Sequence, residues 1–424
     1  MWSATGRLAA ADEANLVLDH VGQVNVFLVG GLLAPGGFVQ RDGLPNLAAL
    51  HAHLRERIAA LPPLHRFPVA VGRRHRWVEA TPDLKQHIRL IDPVDGIAGL
   101  ERKCGELMTT PLALDRPPWE VLVVPGVSAG RVGMVLRIHH VIADGMAAVE
   151  IVQQLCEGTK ANVPPPLPKP TVVPANPVHR QPRPLHDLRK IGFGLHRIVT
   201  TLASHSIGPT VLLGDRGPNR GVAFVDADLE ALEERMRALG ATVNDGLLAS
   251  AAAGYVAALS AAGEQPPAEL PVSIPVALRR RGTSSNQVGV MRVRLPLAVP
   301  NPDARLGLIA ARTRAEKARA REQGTFEFMR SSMGARIMDH IGHRQHVVAG
   351  FITNVAGPPD RLRLAGAPID AIWPVAVLAG NVRLGIAAAS YAGTLRCGIH
   401  FDEATVPGVV FAHAVREELA RLAG

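Results

Sequence analysis

The sequence predicts an α/β protein built as two similar halves. Three observations point there. Short apolar, strand-like runs alternate with stretches of helical apolar spacing along the whole chain. A dense proline cluster interrupts that alternation near the middle, and the same alternation resumes after it. With 424 residues, 47% of them hydrophobic and 20% charged, there is material for two or three domains, each with a sizeable core.

In the first half, residues 24–29 read as a strand ending at Gly30-Gly31. Leu47, Leu50, Leu54 and Ile58 recur at helical spacing, and Pro62-Pro63 stops that helix. A second helix is expected over residues 97–108. Residues 119–124 and 132–138 read as two strands, with a helix over 146–155. From 163 to 184 the prolines exclude a packed helix or a central strand, so this stretch is an extended linker. Domain limits of 1–162, 163–215 (linker plus an amphipathic helix) and 216–424 follow.

In the second half, Leu229, Leu232, Met236 and Leu239 mark a helix closed by Gly240. Thr242-Val243-Asn244-Asp245 has the form of a capping box opening a small-residue helix to Ala262. Helices over 301–321 and 326–341 are expected, with strands at 272–276, 288–295, 385–391 and 395–401.

Bulk properties narrow the function. The net charge of +9 favours anionic partners. With no zinc-finger spacing and only 4% aromatic residues, nucleic acid is not expected. The three cysteines, Cys104, Cys156 and Cys397, are far apart in sequence and form no C-x-x-C pair. That argues for a reducing compartment. No signal-like apolar segment opens the chain, and no apolar run is long enough to span a bilayer. A cytoplasmic protein is expected, with a membrane or lipid-droplet surface as a peripheral site.

Two motifs compete for chemistry. Gly126-Val127-Ser128-Ala129-Gly130 matches the G-x-S-x-G nucleophile elbow, which needs a strand before it and a helix after it. Here a strand follows, so the motif reads as a hairpin turn. His139-His140-Val141-Ile142-Ala143-Asp144-Gly145 is better placed, at the C-terminal end of an apolar strand and before a helix. Imidazole is suited to take a proton near neutral pH, and Gly145 permits close approach. A His-His pair satisfied by local backbone, with Asp144 capping the next helix, fits the residue types equally well.

The order of further motifs separates the two. H-H-x-x-x-D-G resembles the signature shared by coenzyme-A-dependent acyltransferases and peptide-synthetase condensation domains. Residues 111–120 (Pro-Leu-Ala-Leu-Asp-Arg-Pro-Pro-Trp-Glu) resemble the segment that the bacterial wax ester synthase/diacylglycerol acyltransferase family places upstream of its histidines. Leu239 to Asp245, Ile274 to Arg279, Asn286 to Gly289, Thr353 to Pro358 and Ser390 to Leu395 then resemble that family's later motifs, in its order. Pro118 stands where the family usually has leucine, and Ala10-Ala11-Asp12-Glu13-Ala14 only loosely matches its N-terminal opening.

The resemblance implies two similar mixed-sheet α/β domains of the coenzyme-A-dependent acyltransferase type around a central channel. It implies acyl-CoA as co-substrate, no bound cofactor, and an alcohol or diacylglycerol as acceptor, giving wax ester or triacylglycerol. His140 would be the general base, supported by His139 and Asp144. Arg279 would pair with Asp144. Gly145, Trp119, Asn244 and Asp245 would support the site, the last two equally well read as helix caps. A carrier-protein-dependent, condensation-like enzyme and a non-catalytic lipid-binding protein are the alternatives. His340, His343 and His346 read as a surface cluster rather than a metal site. Leu185, Leu188, Ile191, Leu195, Ile198 and Leu202 form an apolar stripe with a basic flank, suited to core packing or to a lipid surface.

Overall fold

A computed structural model describes residues 4–20, 22–72, 74–143, 145–157, 207–278, 287–323, 336 and 339–424. Strand β1 (Ala4–Arg7) and helix α1 (Ala10–Val17) lead into β2 (Val26–Leu33) and α2 (Leu47–Ala59). Next come β3 (Arg66–Val71), β4 (Arg74–Glu79), the single turn α3 (Leu84–His87), β5 (Ile88–Leu90) and α4 (Gly96–Leu107). Strands β6 (Trp119–Ser128) and β7 (Arg131–His139) precede α5 (Gly145–Leu155). The second half holds β8 (Arg220–Asp228), α6 (Leu229–Ala238), α7 (Val243–Ala261), β9 (Glu269–Leu278), β10 (Gln287–Pro296) and α8 (Pro302–Gln323). It closes with β11 (Phe351–Val355), β12 (Arg363–Leu364), β13 (Ala367–Val375), β14 (Leu384–Tyr391), β15 (Thr394–Asp402) and α9 (Gly408–Ala423).

Two six-stranded sheets dominate. The first runs β12-β13-β2-β7-β6-β5 and the second β10-β9-β11-β14-β15-β8; a small β1-β4-β3 sheet lies apart. Both large sheets are mixed: β5 runs parallel to β6, and β11 parallel to both β9 and β14. The expected pair of mixed-sheet α/β halves is thus observed.

Two expectations need correcting. Strand β2 does not stop at Gly30-Gly31 but continues to Leu33, because β7 pairs with it on one side and β13 on the other. A strand held on both edges tolerates glycine that would weaken a free one. Moreover, β12 and β13 come from the second half of the chain yet complete the first sheet. The chain division at residue 216 therefore does not coincide with the division between sheets. The expected helices over 185–202 and most of 326–341 lie outside the described residues.

Where the halves meet, the contact is packed rather than open. Phe224 of β8 stacks on Trp373 of β13 with ring centroids 4.5 Å apart. Leu28, Leu100, Cys104, Val135 and Val375 are buried in the same cluster. Close approach depends on glycine. A Cβ on Gly105 would overlap the Arg220 carbonyl oxygen, and one on Gly398 would overlap that of Pro374. The α4 side chain Glu101 accepts the Phe224 backbone N–H at 2.7 Å, capping the edge of the second sheet.

Within the second sheet, His400 of β15 is buried and its Nδ1 donates to the Ala376 carbonyl at 2.7 Å. Burial, helped by the charges of Arg220 and Arg216 against the Ala376 hydrogen bond, lowers its pKa to about 3. An unfolded histidine titrates near 6.5. Between these values the unfolded chain binds a proton that the native chain refuses, so stability falls as pH drops below about 6.5. The loss from pH 7 to pH 5 should be roughly 2 kcal/mol. His400→Gln keeps a donor for Ala376 and should show a shallower acid limb in urea unfolding. An unchanged limb would assign the acid sensitivity elsewhere.

Candidate active site

Strand β7 delivers the two histidines to its C-terminal end. Residues Val132 to His139 are all buried, so the strand is fixed by the core on both faces. The segment before β6 then pins its last residues. The His139 backbone N–H donates to the Pro118 carbonyl at 3.0 Å, and that of Trp119 to Pro117 at 2.9 Å. Proline at 118 keeps this contact, because the acceptor is a carbonyl that any residue supplies.

His139 has no solvent exposure. Its Nδ1 accepts the Val141 backbone N–H at 2.9 Å. The ring proton therefore sits on Nε2, which lies 3.2 Å from Asp19 Oδ2. Asp19 Oδ1 in turn accepts the Asn25 N–H at 2.8 Å. Burial pushes the Asp19 carboxyl upward, but hydrogen bonds from His139 and Asn25, with the charges of His139 and His20, hold it below the usual carboxylate range. His139 is a clamped, structural imidazole.

His140 is held differently, by its backbone. Its N–H donates to the Asn25 carbonyl at 3.0 Å, and its carbonyl accepts from Asn15 Nδ2 at 3.0 Å. Asn25 Nδ2 donates to the Asn15 carbonyl at 2.9 Å, closing the set. The His140 residue is only partly buried. Of the pair, it is the one that keeps contact with solvent.

The remaining predicted residues separate into groups. Gly145 opens α5, and a Cβ there would meet no atom within 4 Å; packing does not require glycine at this point. Trp119 lies beneath the histidines, paired in register with Ile138. Its indole Nε1 donates to the Leu64 carbonyl at 2.9 Å and its ring stacks on His87. Its contacts are those of a core anchor. Asp245 is buried, accepts from Thr242 N–H and hydroxyl at 2.9 and 2.7 Å, and accepts from the Thr313 hydroxyl at 2.6 Å. It completes the capping box of α7, and none of these bonds reaches the first half. Asn244 stands beside it, half-buried in the first turn. Asp144 and Arg279 lie outside the described residues.

Ser128 is exposed at the opposite end of β7, where β6 turns back through Ala129 and Gly130 (φ +66°). A hairpin, not a strained elbow, holds it. Eight residues of strand separate it from His139, roughly 25 Å.

Asp19, Asn15 and Asn25 were not anticipated. The available signal was weak: Asn15, Asp19 and Asn25 sit among Asp12, Glu13, His20 and Gln23 in a stretch of mixed polarity, and only burial shows which of them need partners. A second unanticipated brace lies on β7 and β6. Buried Arg137 donates to Glu120 Oε1 at 2.6 Å and to the Thr110 carbonyl, while Arg89 donates to Glu120 Oε2 at 2.7 Å. This ties the 110–120 segment to the histidine strand.

Comparison with known proteins gives this geometry a context. Residues 8–208 match the wax ester synthase/diacylglycerol acyltransferase catalytic domain, and residues 284–422 match the C-terminal domain of the same family. A candidate diacylglycerol O-acyltransferase of Mycobacterium tuberculosis is 27% identical over 440 aligned positions, covering 94% of this chain and 86% of that one. The wax ester synthase/diacylglycerol acyltransferase structure from Marinobacter aquaeolei superposes with a TM-score of 0.75 at 20% identity, covering 98% of each chain. The trichothecene 15-O-acetyltransferase of Fusarium sporotrichioides shares the fold with a TM-score of 0.65 at 11% identity, covering 100% of this chain and 97% of that one.

The clamp has a measurable weight. Asp19→Ala removes the acceptor of the Asn25 amide and the carboxylate that faces buried His139 Nε2 at 3.2 Å, and should cost about 1–3 kcal/mol in urea unfolding. Asp92→Ala, at an exposed position, should be nearly silent. Equal effects from the two would mean that Asp19 braces nothing.

Proposed function

Because this chain belongs to the wax ester synthase/diacylglycerol acyltransferase family, we propose that it transfers a fatty acyl group from acyl-CoA to the hydroxyl of an alcohol or diacylglycerol, with His140 as general base. The observation that carries the assignment to His140 is the unequal treatment of the two histidines. One imidazole is fully sealed from solvent and accepts a backbone hydrogen bond; the other belongs to a residue that keeps partial exposure.

A single transfer step suffices. The acceptor O–H gives its proton to the His140 imidazole as its oxygen attacks the thioester carbonyl. The C–O bond forms, the C–S bond breaks, and the proton passes to the departing coenzyme A thiolate. A thiolate leaves readily, so no covalent serine intermediate is required. The product is a wax ester or a triacylglycerol. His139, with Asp19 behind it, fixes the turn that carries His140. Gly145 leaves room near the start of α5 for substrate. Asp144 and Arg279 are assigned, by resemblance alone, to support the same turn.

The apolar products and the +9 net charge support work at an anionic lipid surface. No described helix is long and apolar enough to cross a membrane, and the proposed contact is adsorption to the lipid surface. Flotation with phosphatidylglycerol vesicles should show binding at low salt and release at high salt, as screening demands. Failure to float at either salt would remove the surface from the proposal.

The base assignment is tested by thiol release from a long-chain acyl-CoA in the presence of hexadecanol or a diacylglycerol. A general base contributes about 10²–10⁴-fold. His140→Ala should therefore lower the rate at least about 100-fold with the fold intact. Ser128→Ala should match the parent enzyme. If Ser128→Ala abolishes turnover and His140→Ala does not, a hydrolase mechanism replaces the transferase one.

A further inference from the structure

The turn that follows Asp19 reaches across to the second half and brings three ligating side chains together. Arg216 donates from Nη2 to the Gly22 carbonyl at 3.1 Å, and Gln23 Oε1 accepts the Gly380 N–H at 2.8 Å. Tied down in this way, the turn places His20 Nε2 at 3.2 Å from Asp339 Oδ1. His343 stands four residues after Asp339, on the same side of the helical turn, with Nδ1 at 3.8 Å from the same oxygen. The two imidazole centroids are 5.5 Å apart. One ligand atom from each of the three residues lies within 4.8 Å of the others.

We propose that His20, Asp339 and His343 form a binding site for one divalent transition-metal ion of the zinc class, clipping the N-terminal turn to the second half. Two imidazoles and one carboxylate are a zinc-type ligand set, with a fourth position left for water. Bonds of about 2.0–2.1 Å in a tetrahedron place ligand atoms roughly 3.3 Å apart. The His20–Asp339 separation already meets that spacing, and a ligand atom of His343 lies within 4.8 Å of both. The His343 ring is also pre-oriented. Its Nδ1 donates to the Asp339 carbonyl at 2.7 Å, which leaves the Nε2 lone pair for the ion, the usual outer-sphere arrangement of a metal-bound histidine. His20 and Asp339 are half-buried and His343 is exposed, with side-chain exposures of 32%, 20% and 40%. An ion could enter from solvent and still be shielded once bound. Arg216 is the opposing influence, since its charge is felt at Asp339; one carboxylate against it favours moderate rather than tight affinity.

The sequence hides this set. His340, His343 and His346 attract attention as a local cluster, yet His340 is exposed and His346 Nδ1 is engaged with the Ile207 carbonyl at 3.0 Å. The missing ligands are Asp339, one helical turn before His343, and His20, 319 residues before Asp339. The acyl transfer uses no metal, so the site is structural. Through the adjacent Asp19 it would stiffen the segment that clamps His139.

The test uses the untagged full chain, stripped with a chelator and titrated with zinc chloride and cobalt chloride. One equivalent of zinc should bind and raise the thermal midpoint. Cobalt should give the intense visible absorption of tetrahedral coordination. His20→Asn and His343→Ala should each weaken zinc binding by more than about 100-fold, beyond the roughly 10–100-fold that outer-sphere partners contribute. His340→Ala, the exposed neighbour, should bind like the parent. Three results would overturn the site: no stoichiometric binding, octahedral-type cobalt absorption, or unchanged affinity in the His20→Asn, His343→Ala double variant. The cobalt spectrum of the parent chain decides even if a variant fails to fold.

Discussion

One buried imidazole fixes the C-terminal end of β7. The His139 ring receives a backbone hydrogen from Val141 at Nδ1 and directs its own proton toward Asp19 from Nε2. Those contacts convert a strand end, which would otherwise fray, into a fixed turn. Asp19 also holds the Asn25 amide, and Asn25 and Asn15 hold the two backbone groups of His140. The pair of histidines is thus a division of labour. A sealed imidazole held by a backbone hydrogen bond at Nδ1 and facing a carboxylate at Nε2 stiffens its surroundings, and that stiffness positions its neighbour. The same end of β7 is braced from below by Pro118 and by the Arg137–Glu120 pair. For a buried ion pair the value lies in geometry more than in net stability.

The two halves are interleaved rather than merely apposed. Strand β13 belongs to the first sheet by hydrogen bonding, yet its Trp373 packs on Phe224 of the second. Tyr391 of β14 does the reverse: it donates to the Ile369 carbonyl at 2.8 Å and accepts the Leu362 N–H at 3.0 Å, both in the segment that joins the first sheet. Glycines 105 and 398 let backbone approach backbone where side chains would hold it off. Movement of one half against the other would have to break several independent contacts at once.

Much of this is legible in the sequence. Strands at 119–124 and 132–138, the helix around Leu50 and Leu54, and the capping box at Thr242 and Asp245 follow from local spacing, and they appear as expected. The hairpin reading of Ser128 followed from one fact, that a strand and not a helix comes after Gly130. The signature around His139 and His140 identified the end of β7. What failed was long-range. Asp19 meets a histidine 120 positions later, and β13 pairs with β2, laid down more than 300 positions earlier; no local periodicity encodes either. The extension of β2 through Gly30 and Gly31 failed for a related reason, since glycine weakens a strand only when no neighbour holds it. Asp245 was read as either a site residue or a cap, and its bonds to Thr242 and Thr313 are those of a cap.

The late arrival of β13 also sets an order of events during synthesis. Strand β2, with its run of Val26, Phe27, Leu28 and Val29, needs partners on both edges. Its β7 partner is made early, but the other begins only at Ala367. At about 5–20 residues per second, the ribosome leaves that edge uncovered for tens of seconds. An apolar strand edge is a template for pairing with another chain. The nascent protein therefore spends most of its translation with its first sheet unfinished. Until residues 363–375 emerge, that edge is open to pairing with another chain.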